Sequence, residues 1–535
     1  MSEKQSHKIE SKITQKSSKK DSEIRQERID QIDDDLQNLN YTVKTAGERQ
    51  EIDEQRKKDY ESKMAELEGG LGRPLSDESR RDIYKNEVEA NMAQAQSENE
   101  RFDALSIEKG ILDYLSRTLD NEPLESYIES PMDSGCKVAV MIPVYDESHG
   151  NILRSLSSLA EQEDVGSDLF EVDFVVNNPK TDAESESEAF FANQESIKLL
   201  KYINGTSENT PDSLTKGQKS EIDKIKKAGI KVNVIDKSSA ITANDENNVG
   251  VARNRAGAEI VERFLGTPQK TDGVVAITDC DCEFSPNYIK LIVDSFENNE
   301  INGVSGNLEF EIDPEIENHE LVKKAFDVYM GIDREENETE KYKGEPDFAI
   351  QEGALRSGAN MAVNAKSWAL AGGMPEIAGG EDIKFGQEVE KLEGPVAKNY
   401  GYTITSLMRV SERTGVQGNG RIVKKIKESV DDFVAGKSDR IYVENMELVG
   451  AFYASLIEAS QNDALTGAFI IKSMKEFNFE ANNVSVEEYD NLASEVNTEL
   501  GKPKAEQDMK KIQELIMDKI YPYYAQRDVT DQIVN

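Results

Sequence analysis

The chain has 535 residues, 37% hydrophobic and 31% charged, and its 64 basic against 104 acidic side chains leave a formal charge of −40. That length accommodates about two to four domains of ~100–200 residues, and the field of such a polyanion excludes nucleic acid and anionic membrane as default partners. No apolar run reaches the ~18–20 residues of a membrane helix and no signal-peptide pattern opens the chain, so a soluble, cytoplasmic protein without a transmembrane segment is expected.

Residues 1–60 are rich in Lys, Glu, Asp, Gln and Ser, with no Pro and a single Gly. They form a charged arm that cannot bury enough apolar surface to offset its own ordering entropy. Within it Ile29, Ile32, Leu36, Leu39, Val43 and Ala46 follow the alternating three- and four-residue spacing of a coiled-coil seam. A seam over residues 29–46 offers a route to self-association; a solvated amphipathic helix or disorder accounts for the same spacing. Residues 61–135 read as a helical segment and linker: Gly69, Gly70, Gly72 and Pro74 punctuate the chain, a helix spans roughly Ser76 to Leu119, and Pro123 and Pro131 mark the connection.

At Cys136 the character changes to strand-like runs alternating with helical ones. "KVAVMIPVYDE" is a short apolar run, followed by a helix with Ile152, Leu153, Leu156 and Leu159 on one face. "EVDFVVNN", "IKVNVID" and "GVVAITDCD" are three more buried strands, and "INGVSGNLEFEID" is a further strand or strand pair. Continuous Val/Ile runs separated by helices imply an α/β unit with a doubly wound, mostly parallel sheet covered on both faces. Ligands bind such sheets beyond the C-terminal strand ends. Here those ends carry Tyr145-Asp146-Glu147, Asn177-Asn178, Asp236 and Asp279 with Asp281. From residue 423 to 535 the apolar spacing is again helical and looks structural. The three cysteines, Cys136, Cys280 and Cys282, cannot form a disulfide framework and read as reduced thiols.

Asp279 and Asp281, two apart at a strand end, suit Mg²⁺ or Mn²⁺, hard ions that bridge to phosphate oxygens; an ordinary acidic loop has the same pattern. "VGVARNRAGAEIV" precedes this pair, and "GANMAVNAKSWALAGGMPEIAGGEDIKFG" follows it. With the opening strand and helix, these segments stand in the order of a family 2 type glycosyltransferase, and residues 136–422 resemble that family and its GT-A fold.

The resemblance implies a nucleotide-diphospho-sugar donor and a divalent metal (Mn²⁺ or Mg²⁺) held by Asp281 with Asp279 assisting. Arg253 would lie near the nucleotide or its phosphates, and Pro143, Val144, Tyr145 and Glu147 would cradle the base and ribose. Asp382 would be the general base toward an acceptor hydroxyl, and Glu381 would orient it. Physical chemistry supports these roles: a leaving diphosphate needs its charge neutralised, and a hydroxyl nucleophile needs a carboxylate to take its proton. One-step attack opposite the leaving group inverts the anomeric centre. Plain helix capping is the alternative for Glu381-Asp382.

The chain departs from the family pattern at Asn177-Asn178, where aspartates are usual. Asn177 can accept a hydrogen bond from the base but carries no charge, which leaves UDP and GDP both open. The insert from Thr181 to Ala228 is also unusual. In "RVSERTGVQGNGR", Arg409, Arg413 and Arg421 could pair with phosphate oxygens, Arg413 being the candidate, or the segment is a plain connection. Trp368 stacks on a sugar or packs in the core. His149 and His319 are metal-ligand candidates by residue type only. The reading is a metal-dependent, inverting glycosyltransferase, a hexosyltransferase in type. The alternatives are a retaining GT-A enzyme, an inactive GT-A binding module, and a sugar nucleotidyltransferase, whose Gly-rich basic loop is replaced here by "PVYDESHG".

Overall fold

The computed structural model describes residues 22–36, 90–120, most of 128–444, and 526–534, with single residues at 58, 62 and between 491 and 498. Between 128 and 444 the breaks fall at 129, 212–213, 240–241, 244–247, 331–347, 378–379 and 411–418. Arg413, the seam positions Leu39, Val43 and Ala46, and most of 423–535 therefore lie outside the described residues.

The core is a nine-stranded sheet in the order β3-β2-β1-β4-β8-β6-β9-β5, with β7 also paired to β9. The strands are β1 (Val138–Val144), β2 (Phe170–Asn177), β3 (Lys231–Lys237), β4 (Val274–Ile277), β5 (Cys282–Phe284), β6 (Gly303–Ile312), β7 (Phe348–Ile350), β8 (Met361–Asn364) and β9 (Val396–Met408). β1 to β4 run parallel. β8 is reversed between β4 and β6, and β9 resumes the common direction beside β6. This mixed α/β fold with a central, mostly parallel sheet is the class expected from the sequence.

Strand alternation divides the interior in two. Val138, Val140, Ile142 and Val144 of β1 face one apolar cluster, whereas Ala139 and Met141 face the other. Pro143 is tolerated because the ladder to β4 ends at Met141, so its missing N–H costs no bond on that side. The helices that position the site are α1 (residues 22–36), α2 (Ala90–Leu119), α3 (His149–Ala160), α4 (Lys180–Ser185), α5 (Glu188–Ile203), α6 (Lys216–Ala228), α7 (Val249–Leu265), α8 (Tyr288–Glu297), α9 (His319–Tyr329), α10 (Ala365–Leu370), α11 (Glu381–Glu390) and α12 (Asn419–Val434). The first cluster takes its helical side chains from α3, α5, α6 and α8, the second from α2, α7, α10 and α11.

On the α7 face β2 buries two carboxylates, Glu171 and Asp173, which no apolar neighbour could satisfy. Arg263 of α7 pairs with both, and Asn233 Nδ2 donates to Asp173 at 2.7 Å. Burial first and Glu171 second push the Asp173 carboxyl well above the usual carboxylate range.

Trp368 is fully buried and belongs to the core, not to a sugar-stacking surface. Its Nε1 donates to the Tyr114 hydroxyl at 2.7 Å, and that hydroxyl donates to Asn254 Oδ1 at 2.9 Å. A Cβ at Gly257 would fall on the indole, so glycine is what lets α7 and α10 close together here. The long helix α2 is thereby tied to the sheet unit. On its outer side Ile29 and Ile32 of α1 are buried against Leu105 and Leu112, and Arg28 Nε donates to Glu108 at 2.7 Å. A smaller apolar cluster joins α9 and α12 to the ends of β6 and β9 through Ile312, Phe326, Met408, Ile422 and Ile426. No helix among the described residues is long and apolar enough to cross a membrane.

Candidate active site

The C-terminal ends of β1, β2, β4 and β9 meet along one edge of the sheet, and reversed β8 begins there. After β1 the chain turns through Asp146 at φ 52°, and Ser148 caps α3 by accepting from Asn151 N at 3.2 Å. This turn delivers Glu147 to the edge, where Asn151 Nδ2 donates to it at 2.7 Å. Arg409 follows the last residue of β9. Its Nη2 donates to both Glu147 oxygens at 2.7 and 2.6 Å and to Asp281 Oδ2 at 3.3 Å.

Arg253, four residues into α7, is the second guanidinium of the edge. It is 3% exposed and donates to Asp279 Oδ1 at 2.5 Å, Glu381 Oε1 at 2.6 Å and the Gly358 carbonyl at 3.1 Å. The helix can carry it inward because Asn248 caps the N-terminus, accepting from Val251 N at 3.1 Å, while Asn254 Nδ2 ties in Glu376 at 2.8 Å. Gly250 packs against the Pro375 and Ile377 backbone, where a Cβ would clash.

Gly380 precedes α11 at φ 73°, a left-handed conformation that suits glycine, and it presents two unlike carboxylates. Glu381 is 5% exposed and committed to Arg253. Asp382 is half-buried; its Oδ2 accepts from Gly358 N at 2.7 Å and its Oδ1 from Ile383 N at 2.8 Å. Burial pushes the Glu381 carboxyl up against the pull of Arg253. The Arg253 guanidinium is opposed by its own burial but held above its ordinary value by Asp279, Glu381 and Asp382.

The structure thus brings Asp279, Asp281, Glu147, Arg253, Glu381 and Asp382 to one edge, Arg253 joining Asp279 to Glu381 and Arg409 joining Glu147 to Asp281. Tyr145, Pro143, Val144 and Asn177 lie alongside at the ends of β1 and β2. Tyr145 donates its hydroxyl to Asp182 at 3.0 Å, so the insert carrying α4 and α5 reaches this loop. Asn193 of α5, fully buried, is a residue that sequence reading missed. Its Oδ1 accepts from Asp146 N at 2.8 Å, and its Nδ2 donates to Asn177 O at 3.1 Å and Asn178 Oδ1 at 3.0 Å, clamping both loops. Arg409 was one of three arginines in its segment without a distinguishing mark. His149 and His319 stand apart from the acidic group: His149 meets Glu195, and His319 Nδ1 lies 3.2 Å from the Asp313 carbonyl.

The donor set fits a divalent cation of one kind. Among the described residues no three His, Cys, Asp or Glu side chains form a cluster that could hold a metal. Mg²⁺-like ions, however, are bound by one or two carboxylates plus substrate phosphates. Asp279 and Asp281 match that pattern: their side chains are 41% and 18% exposed, and Asp279 Oδ2 and Asp281 Oδ1 accept no hydrogen bond among the described residues. Five carboxylates facing two guanidiniums also leave an excess of negative charge. Asp281 registers it: burial, then Asp279 and Glu147, push its carboxyl up to about 6 despite Arg409. Cys280 and Cys282 beside it are buried thiols held neutral, chiefly by burial.

This has a stability consequence. A carboxyl that binds its proton more tightly folded than unfolded costs stability once ionised, and regains it as pH falls through the folded value toward the unfolded one. In metal-free protein Asp281→Asn is therefore expected to raise unfolding stability at pH 7.5, by at most about 3 kcal/mol. The gain should shrink as pH falls through about 6 and vanish near pH 4. Urea unfolding across that range reads it; a loss of stability at pH 7.5 would contradict the charge excess.

No protein-family model matches the chain, and no curated protein does. Among solved structures the chain is similar to a crystal structure of GalNAc-T7 with UDP, GalNAc and Mn²⁺, at 11% identity and a TM-score of 0.31. The match covers 58% of this chain and 51% of that one, so the chain spans about half the length of that protein's chain. At that distance no residue role transfers.

Proposed function

We propose that this chain is a glycosyltransferase of the family 2 type, moving a hexosyl group from a nucleotide-diphospho-sugar to an acceptor hydroxyl with inversion. The observation that carries this reading is the Arg253 bridge. One buried guanidinium joins Asp279, at the end of β4, to Glu381, at the start of α11. A carboxylate pair suited to a cation-bound diphosphate and an accessible carboxylate base thus stand on either side of a single fixed cation.

Asp279 and Asp281 would hold Mg²⁺ or Mn²⁺, which when bound supplies charge neutralisation for the departing diphosphate. Asp382 does the proton chemistry. Its oxygens are oriented by the Gly358 and Ile383 amides, and each keeps a lone pair for the acceptor hydroxyl. As the acceptor oxygen bonds to the anomeric carbon, the bond from that carbon to the phosphate oxygen breaks and the hydroxyl proton passes to Asp382. Glu381 holds Arg253, and through it the spacing between base and diphosphate. Tyr145 and Asn177 border the space for the base, their loops fixed by Asn193.

Calorimetric titration of UDP and GDP, each with and without Mn²⁺, tests the reading on wild type and Asp281→Ala. Metal-dependent binding of one nucleotide, lost in the variant, is expected and would name the carrier. Folded protein that binds neither would overturn it.

A further inference from the structure

We propose that Arg409 is a built-in counter-cation of the donor site: it occupies Asp281 until a diphosphate arrives, and so makes metal entry depend on donor entry. This rests on the glycosyltransferase reading above.

One nitrogen of Arg409, Nη2, serves three carboxylate oxygens. The two contacts to Glu147, at 2.6 and 2.7 Å, are short, and Glu147 is itself fixed by Asn151. The contact to Asp281, at 3.3 Å, is the long one. Glu147 is thus the anchor and Asp281 the releasable partner. The rest of the guanidinium, Nε and Nη1, donates to nothing among the described residues, and the side chain is 22% exposed. A planar guanidinium with an unspent edge is matched to phosphate oxygens.

A bare divalent cation on the open Asp281 Oδ1 must sit beside a like charge already paired with Oδ2. A cation arriving with a diphosphate brings oxygens that accept the freed N–H groups, so Arg409 exchanges one anion for another and loses nothing. Such coupling is reciprocal: nucleotide strengthens metal binding by the factor by which metal strengthens nucleotide binding.

The test measures Mn²⁺ binding by electron paramagnetic resonance of the free ion, with and without the nucleoside diphosphate that calorimetry selects. Wild type should bind Mn²⁺ alone weakly and gain about 5- to 150-fold with nucleotide. Arg409→Gln should bind Mn²⁺ alone about tenfold more tightly and lose most of that gain. Arg409→Lys, which keeps the charge but not the planar fork, should fall between. Arg154→Gln removes a cation that pairs with Glu283 and Glu311 instead, and should change neither quantity. Unchanged coupling in both Arg409 variants would overturn the proposal while leaving the donor site standing. An equal rise in Mn²⁺ affinity in Arg154→Gln would overturn it as a bulk charge effect. Absence of nucleotide binding in every protein would overturn the glycosyltransferase reading itself, and this inference with it.

Discussion

Asp382→Asn is expected to lower kcat for sugar transfer by about 10²–10⁴-fold, while metal–nucleotide affinity stays within about twofold. The substitution keeps side-chain volume and one accepting oxygen, so one of the bonds from Gly358 N and Ile383 N survives. What disappears is the capacity to take a proton. Glu381 cannot stand in for it, because that carboxylate is 5% exposed and bound to Arg253 at 2.6 Å. Glu381→Gln should act differently, loosening Arg253 and weakening donor affinity along with turnover. Single-turnover kinetics with saturating donor separate the two. An Asp382→Asn enzyme with unchanged turnover would place the base elsewhere.

The second large effect concerns stability. Arg253→Met is expected to cost about 3–5 kcal/mol, the range for breaking a buried ion pair from one side. Most of that arises at Glu381, which is left buried with no counter-charge. The Asp279 side is discounted, since its side chain is 41% exposed and solvent screens it. The double variant Arg253→Met with Glu381→Leu should recover much of the loss, because removing both partners leaves no unpaired buried charge. Urea unfolding of wild type, single and double variants reads this directly. A double variant no more stable than the single one would mean that packing of the arginine stem, not charge, sets the cost.

The part of the molecule that was legible in advance is the part held by short-range pattern. β1, β2, β3 and β4 fall where continuous Val/Ile runs lie, and Ile152, Leu153, Leu156 and Leu159 are all buried on one face of α3. "INGVSGNLEFEID" forms one strand, β6, rather than a pair. Reversed β8 escaped notice because four residues, "MAVN", carry too little periodicity. β9 alternates polar and apolar positions over 13 residues beside a glycine-containing centre, and its strand character comes from pairing with β6. For the site, residue types at a strand end pointed to Asp279 and Asp281, whereas Arg253, Glu381 and Asp382 came from the family resemblance. Their partners did not follow: Arg253 meets Glu381 across 128 residues, and Arg409 meets Glu147 across 262. Asn193 was hidden for a similar reason, being a neutral polar residue inside an insert whose composition reads as solvated.

The Tyr114–Trp368 bond also sets a clock. Its two ends are 254 residues apart, and at about 5–20 residues per second the ribosome needs roughly 13–50 s to span that interval. Throughout that time α2 is already made, while the indole that its hydroxyl accepts from does not yet exist. The helix carries Ile111, Tyr114, Leu115 and Leu119 toward a core that is finished only when α10 and α11 emerge. Docking of this early helix is therefore completed only once α10 has emerged. A ribosome stalled before residue 368 would hold a nascent protein with that apolar face open to chaperones.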